Sequence, residues 1–395
     1  MAWLTARQAL AALEVRTQTL YANVSRGRIR ARPDPADSRR SLYHSEDVKR
    51  LARRRAGRRT VEAVAAQAIG WGDPVLASGI STVVDGRLWY RGRDAVALAR
   101  SATLEQAAAL LWEVETVTFV RGGRAALPAG TAPGLAATLA ALSRRVAADP
   151  PSRGHARAAL VTEAVDLLGD VITAMLGPAP AAGLALHLRV ARAWRAPAAQ
   201  DLIRRALVLL ADHELNASTF AARVAASTGA PLAAGLMAGL VTLAGPLHGG
   251  AAAGMRALIE AARRDGAAAS VRAWLEQGHA LAAFGHPLYP EGDPRAAALF
   301  EYLPMPRIYA EVRDEVAALI GEAPNIDFAL CALADRYALP ADAPFTIFAL
   351  ARSVGWTAHA LEQAATGQLI RPRARYTGPP PQADATPAPR RRAPR

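Results

Sequence analysis

At 395 residues the chain has room for two or three domains, and 52% hydrophobic with 21% charged residues is a globular composition that excludes wholesale disorder. A single cysteine, Cys331, excludes a disulfide framework or a thiolate metal site within one chain, as expected of a cytoplasmic protein. The net charge of +13 sits at the ends: residues 1–60 hold 15 Lys and Arg against 5 Asp and Glu, residues 371–395 hold 7 against 1, and the middle holds 25 against 28.

In chain order, Arg7 and Glu14 interrupt any apolar N-terminal segment, so no secretory signal is expected. Thr5 can cap a short helix whose Ala9, Leu10 and Leu13 share a face. "RTQTLYANVSRG" predicts a second helix ending at Gly27, followed by the basic, turn-rich strip "RIRARPDPADSRRSLYH". Ser45 then caps a third helix with Glu46 and Asp47 in its first turn. Helix, turn, helix, basic hairpin, helix resembles a winged helix-turn-helix of the MerR/excisionase kind, over residues 1–58. The resemblance implies that Thr17, Gln18, Thr19 and Tyr21 face the DNA groove, while Arg26, Arg28, Arg30, Arg39 and Arg40 meet phosphates. A basic helical module that binds protein is the alternative reading of the same residues.

After the link "RRRAGRRTVEA", "GISTVVDGRLWYRGRD" alternates around Asp85-Gly86, a hairpin signal. Ala/Leu-rich stretches of helical spacing follow, "LEQAAALLWEVE" and "LIRRALVLLADHELN" among them, so the body is expected to be mainly α. The uncharged stretch Val224–Met255 is long enough to span a bilayer. Its Ala, Gly, Ser and Thr content, with Pro231, Pro246 and His248 inside it, reads instead as close-packed buried helices. The Pro- and Arg-rich tail 378–395 is expected to be disordered.

Several short blocks in the body combine chemistry-bearing side chains with stiff backbone. His213 lies in "DHELNAST", and His248 lies in "AGPLHGG" between a Gly-Pro corner and two glycines. His286 lies in "FGHPLYPEGDPRA", where Asp293 and Pro294 read as an N-cap and first helical residue that bring Arg295 into an anion-favouring first turn. In "PNIDF", Asn325 caps a helix with Asp327 in its first turn, and Phe328, Cys331 and Leu339 offer core contacts. "FTIFALARSVGWTAHALEQAATG" predicts a long helix ending near Gly367, before an Arg cluster at Arg371. His44, His155, His187, His279 and His359 read as structural or surface histidines, and Glu362 as a salt-bridge partner.

These blocks, in this order, resemble citrate synthase over roughly residues 75 to 378. The resemblance implies an all-α homodimer, with a large domain (61–250 and 345–377) and a small domain (251–344) that closes over substrate. It also implies condensation of acetyl-CoA with oxaloacetate, with no metal or cofactor beyond the CoA substrate. Removing a weakly acidic proton beside a thioester needs a carboxylate base and a donor for the oxygen as charge develops. By resemblance Asp327 is the base, His248 donates to the thioester oxygen and His286 polarises the ketone, while His213, His286, Arg295 and Arg371 bind the oxaloacetate dianion. Ala283, Pro287 and Pro290 depart from the family's pattern beside CoA, and no Arg follows "YTG" before Arg390. Two alternatives stay open: a 2-methylcitrate synthase using propionyl-CoA, and a DNA-binding regulator whose body senses a metabolite.

Overall fold

The computed structural model describes residues 3–13, 20, 24, 29–34, 37–49, 76–119, 130–178, 183–374 and 376–379, with residues 37–40 described by backbone only. The chain divides into two compact units, Met1–Ala77 with Pro372–Arg395, and Ser78–Arg371.

In the first unit, β1 (Trp3–Thr5) leads into α1 (Ala6–Leu13), and β2 (Ala31–Asp34) pairs antiparallel with β3 (Asp37–His44) in the order β1-β3-β2. Thr5 and Gln8 form a reciprocal cap: Thr5 N donates to Gln8 Oε1 at 2.9 Å and Gln8 N to Thr5 Oγ1 at 3.4 Å. Ala9, Leu13, Leu20, Ile29, Tyr43 and Val48 form its core, and residues 45–49 are helical as Ser45 predicted. The basic strip is a hairpin. The short strand before α1, which the sequence did not suggest, adds to its β3 edge. Of the expected second helix only Leu20 and Val24 are described, both helical; Thr17, Gln18, Thr19, Tyr21, Arg26 and Arg28 lie outside the described residues, as does nearly all of the tail. Arg39 and Arg40 fall on β3, where only backbone is described. Arg30 is held by Asp47, its Nε 2.7 Å from Oδ2.

The second unit begins with β4 (Ser81–Val84), β5 (Arg87–Tyr90) and β6 (Arg93–Asp94). Asp85 and Gly86 both take positive φ, 50° and 69°, which lets a two-residue turn match the twist of its strands. The rest is helical: α2 (Ala95–Ala99), α3 (Leu104–Trp112), α4 (Leu135–Ala148), α5 (Arg157–Leu176), α6 (Leu186–Ala193), α7 (Gln200–Leu209), α8 (Ala217–Ser227), α9 (Leu232–Leu243), α10 (Ala251–Asp265), α11 (Ala267–Glu276), α12 (Pro294–Phe300), α13 (Arg307–Ile320), α14 (Ile326–Arg336) and α15 (Ala343–Thr366). Among the described residues no helix is long and apolar enough to cross a membrane.

Helix α15 is the axis of this unit. Every residue from Thr346 to Leu361 is buried, because α3, α5, α7, α8, α9 and α14 pack around it. Close approach is allowed by Gly239 on α9: a Cβ there would lie 2.6 Å from the Trp356 ring. The helix stops at Gly367, whose φ of 62° suits a left-handed C-cap. A second apolar centre gathers on Phe328 of α14, met edge-on by Phe284, Phe300 and Tyr309 at centroid distances of 5.1, 5.9 and 5.4 Å.

One helical expectation needs correction. The periodicity of "LIRRALVLLADHELN" continues to its end, but α7 stops at Leu209. Tertiary partners catch the carbonyls that a longer helix would use. The Tyr90 hydroxyl lies 3.0–3.2 Å from the oxygens of Val208, Leu209 and Asp212, and Arg352 Nε donates to Leu210 O at 2.9 Å.

Candidate active site

Asp293 organises one wall of the site. Its Oδ1 accepts from Arg295 N at 3.0 Å and Arg295 Nε at 2.9 Å; its Oδ2 accepts from Arg295 Nη2 at 2.8 Å and Ile326 N at 2.9 Å. One carboxylate thus caps α12, grips Arg295 in a two-pronged pair and fastens the first turn of α14. The predicted cap is present, with a second task the sequence did not show. Asn325 caps α14 through Asp327 N at 3.0 Å, and its amide donates to Ala282 O at 2.9 Å and Gly285 O at 3.1 Å. The His286 segment and the Asp327 helix are thereby one piece.

His286 accepts from Leu288 N at 3.1 Å through Nδ1, which leaves its ring proton on Nε2. Its ring meets His213 edge-on at 5.1 Å and Tyr289 at 4.9 Å. His213 Nε2 lies 2.8 Å from the Tyr289 hydroxyl. Burial, then the neighbouring Arg295, lowers the His286 imidazolium to about 4, and burial with Arg295 and Arg352 holds His213 well below the usual range. Both rings are neutral at pH 7.

The loop between α9 and α10 holds His248 tightly. Gly249 N donates to Leu243 O at 2.9 Å, and a Cβ on Gly249 would collide with that same oxygen; one on Gly250 would lie 2.5 Å from Pro246 O. The glycines are there because the loop folds onto its own backbone. His248 Nε2 lies 2.9 Å from Ser218 Oγ, which also receives Trp356 Nε1 at 3.2 Å. Trp356 can only donate, so the single Ser218 proton is left for His248 or for Asn216 Oδ1, 2.7 Å away. Burial, then Arg352, brings His248 down to about 4.

Asp327 is half-buried, and desolvation raises its carboxyl to about 6 against the pull of Arg295 and Arg352. Arg352, on the buried face of α15, escaped the sequence reading. It is 1% exposed, its Nη2 has no partner among the described residues, and its charge bears on His213, His248 and Asp327. Burial lowers it to about 10, so it stays cationic at pH 7. A buried cation with an orphaned donor is a ready contact for an anion. The signal was legible: a lone charge inside the apolar run "FTIFALARSVGW". Tyr289 and Ser218 were also missed, having no pattern of their own.

Of the residues singled out from the sequence, His213, His286, Arg295 and Asp327 are linked here by contact or charge, and His248 joins them through Arg352. Arg371 is exposed, beyond the end of α15. An apolar cavity of about 190 Å³, lined by Pro246, Gly250, Met255, Trp274, Ala283 and Phe284 among others, adjoins the His248 loop and the segment leading to His286.

The family model described as "Citrate synthase, C-terminal domain" matches residues 125–373, more than half of the chain. The chain belongs to the citrate synthase family. Citrate synthase 2 of Bacillus subtilis is 40% identical over 194 residues, 46% of this chain and 52% of that protein. The 2-methylcitrate synthase 2 of Corynebacterium glutamicum is 34% identical over 185 residues, 44% and 48% of the two chains. These matches span about half the length of the curated relatives. The solved citrate synthase of Thermotoga maritima superposes with a TM-score of 0.64 at 26% identity, over 82% of this chain and 98% of that one. A citrate synthase of Thermoplasma acidophilum, solved with carboxymethyl coenzyme A and oxaloacetate, shares the fold at a TM-score of 0.64 and 23% identity.

Proposed function

We propose that this protein condenses an acyl-CoA thioester with oxaloacetate, acetyl-CoA giving citrate. The observation that carries the reading is a carboxyl raised to about 6, Asp327, sharing one electrostatic neighbourhood with neutral imidazoles and the buried guanidiniums Arg295 and Arg352. Asp327 removes a proton from the acyl α-carbon while His248 donates to the thioester oxygen. Ser218 supports that role by holding the ring in place, its Oγ 2.9 Å from Nε2 of His248. The resulting carbon nucleophile attacks the ketone of oxaloacetate, polarised by Nε2–H of His286, and water then hydrolyses the thioester to release CoA. His213, Arg295 and Arg352 hold the dianion. Arg371, exposed in the single chain, completes those contacts on closure or from a second copy in a homodimer. The large domain is 61–250 with 345–377, the closing small domain is 251–344, and the apolar cavity beside His248 takes part of the acyl-CoA chain.

The test is thiol release from acetyl-CoA and propionyl-CoA in the presence of oxaloacetate. Wild type should turn over and Asp327→Ala should not, while keeping oxaloacetate affinity. Faster release from propionyl-CoA would make it a 2-methylcitrate synthase. No release from protein that binds oxaloacetate would end the enzyme reading.

A second reading concerns the first unit. The basic hairpin after α1 supports a winged helix-turn-helix over 1–58 that binds DNA, joining a metabolite-responsive body to a promoter. Removing residues 1–77 should abolish salt-sensitive DNA binding and spare thiol release. DNA affinity that survives the truncation would refute it.

A further inference from the structure

The segment that presents His213 is clamped by one face of α15. Arg352 donates to Leu210 O, and one turn on, Gly355 makes room, since a Cβ there would collide with Ala211 O and Asp212. After another turn His359 meets Asp212, its Nε2 3.2 Å from Oδ2. Positions 352, 355 and 359 fall on one helix face and address consecutive residues of the chain before His213. From the other side Tyr90 meets the carbonyl of Asp212, and Ser81 hydrogen-bonds its carboxylate while accepting from Glu214 N at 2.9 Å. Glu214 is held at a φ of 50°, costly for a residue with a Cβ.

The proton inventory of this cluster is determined by its ends. Arg223 Nη1 lies 3.2 Å from Nδ1 of His359 and can only donate, so Nδ1 bears the lone pair and Nε2 carries the hydrogen that Asp212 receives. Arg223 is itself held by Glu362 at 2.5 Å and by Gln363 at 3.1 Å, and Glu362 accepts from Gly79 N at 2.9 Å. His359 and Asp212 are fully buried, and Oδ1 of Asp212 has no donor among the described residues. The aspartate therefore depends on His359 and Ser81.

We propose that His359, oriented by Arg223 and bonded to Asp212, is a positioning residue that sets His213 for the oxaloacetate dianion. It touches no substrate. It holds the carboxylate on the residue just before His213, and with it the strained turn that aims the imidazole. The inference rests on the assignment of His213 to oxaloacetate, and deepens it.

Three variants of the full chain test it: His359→Gln, which keeps a donor near Nε2; His359→Asn, which keeps an acceptor near Nδ1 but leaves Asp212 without its donor; and His359→Ala. Oxaloacetate affinity by calorimetry, the KM of each substrate, and amide exchange of residues 211–215 are measured for each. The Asn and Ala variants should weaken oxaloacetate binding about tenfold or more, leave the acyl-CoA KM within about twofold, and speed exchange at 211–215. The Gln variant should stay within about threefold of wild type on all readouts. Wild-type affinity and unchanged exchange in folded Asn or Ala variants would reduce His359 to packing and overturn the proposal. Equal loss in Gln, Asn and Ala would also overturn it, since shape alone would then explain the effect. If wild type does not bind oxaloacetate, the substrate assignment and the positioning of His213 for that dianion fall together; binding that persists while the variants match wild type sinks the positioning role alone.

Discussion

The acid limb of the pH profile tests the chemistry of this site most directly. As the proposed base, Asp327 has to be a carboxylate, and burial raises its pKa from the ordinary 3.8 to about 6. His248 and His286 titrate near 4 and His213 lies well below 6.5, so none of them changes charge between pH 5 and 7. In that window the site should titrate through Asp327 alone. At pH 7 about nine-tenths of a group of pKa 6 is ionised, and at pH 5 about one-tenth, so kcat/KM should fall about tenfold across the interval with unit slope at its acid end. An unperturbed aspartate would lose less than about a tenth of its activity over the same range. The assay is initial-rate thiol release at subsaturating acyl-CoA and fixed ionic strength, with circular dichroism confirming the fold at each pH. A change under twofold between pH 7 and pH 5, with the protein folded, would refute the desolvated-carboxylate argument.

Asp293→Asn should destabilise the second unit by about 3–5 kcal/mol in denaturant titration, because it leaves the 3%-exposed Arg295 as an uncompensated buried charge. A loss below about 1 kcal/mol would show that Arg295 finds another partner. Gly249→Ala should lower kcat at least about tenfold with only a modest fall in Tm, since the new Cβ must displace the loop carrying His248 while the helices around it keep their packing; unchanged kcat would show that the loop tolerates movement. Thermal stability should fall as pH drops from 6.5 to 4. His213, His248 and His286 are neutral in the fold but take protons when unfolded, which outweighs the opposite contribution of Asp327 between about 6 and 3.8. A melting temperature that rises on acidification would contradict those histidine environments.

The local grammar of this chain was legible from sequence because its causes are local. Asp293 before Pro294, Asn325 before Asp327, Gly367 after the long apolar helix and Asp85-Gly86 between alternating runs each satisfy backbone within a few residues, and each forms as expected. The sequence also singled out His213, His248, His286, Arg295 and Asp327, by their setting among glycines, prolines and caps and by family resemblance. What it did not contain was who meets whom. Arg352 is remote in sequence from Asp327 and still further from His213, and only the packing of α15 against the end of α7 brings a lone arginine in an apolar helix into the proposed anion site. The same packing stops α7 at Leu209 against its own periodicity and pairs His359 with Asp212 across 147 residues. Helix caps and turns are decided by neighbours in the chain. Buried charges and the proton each histidine carries are decided by desolvation and by partners that only the tertiary fold brings within reach.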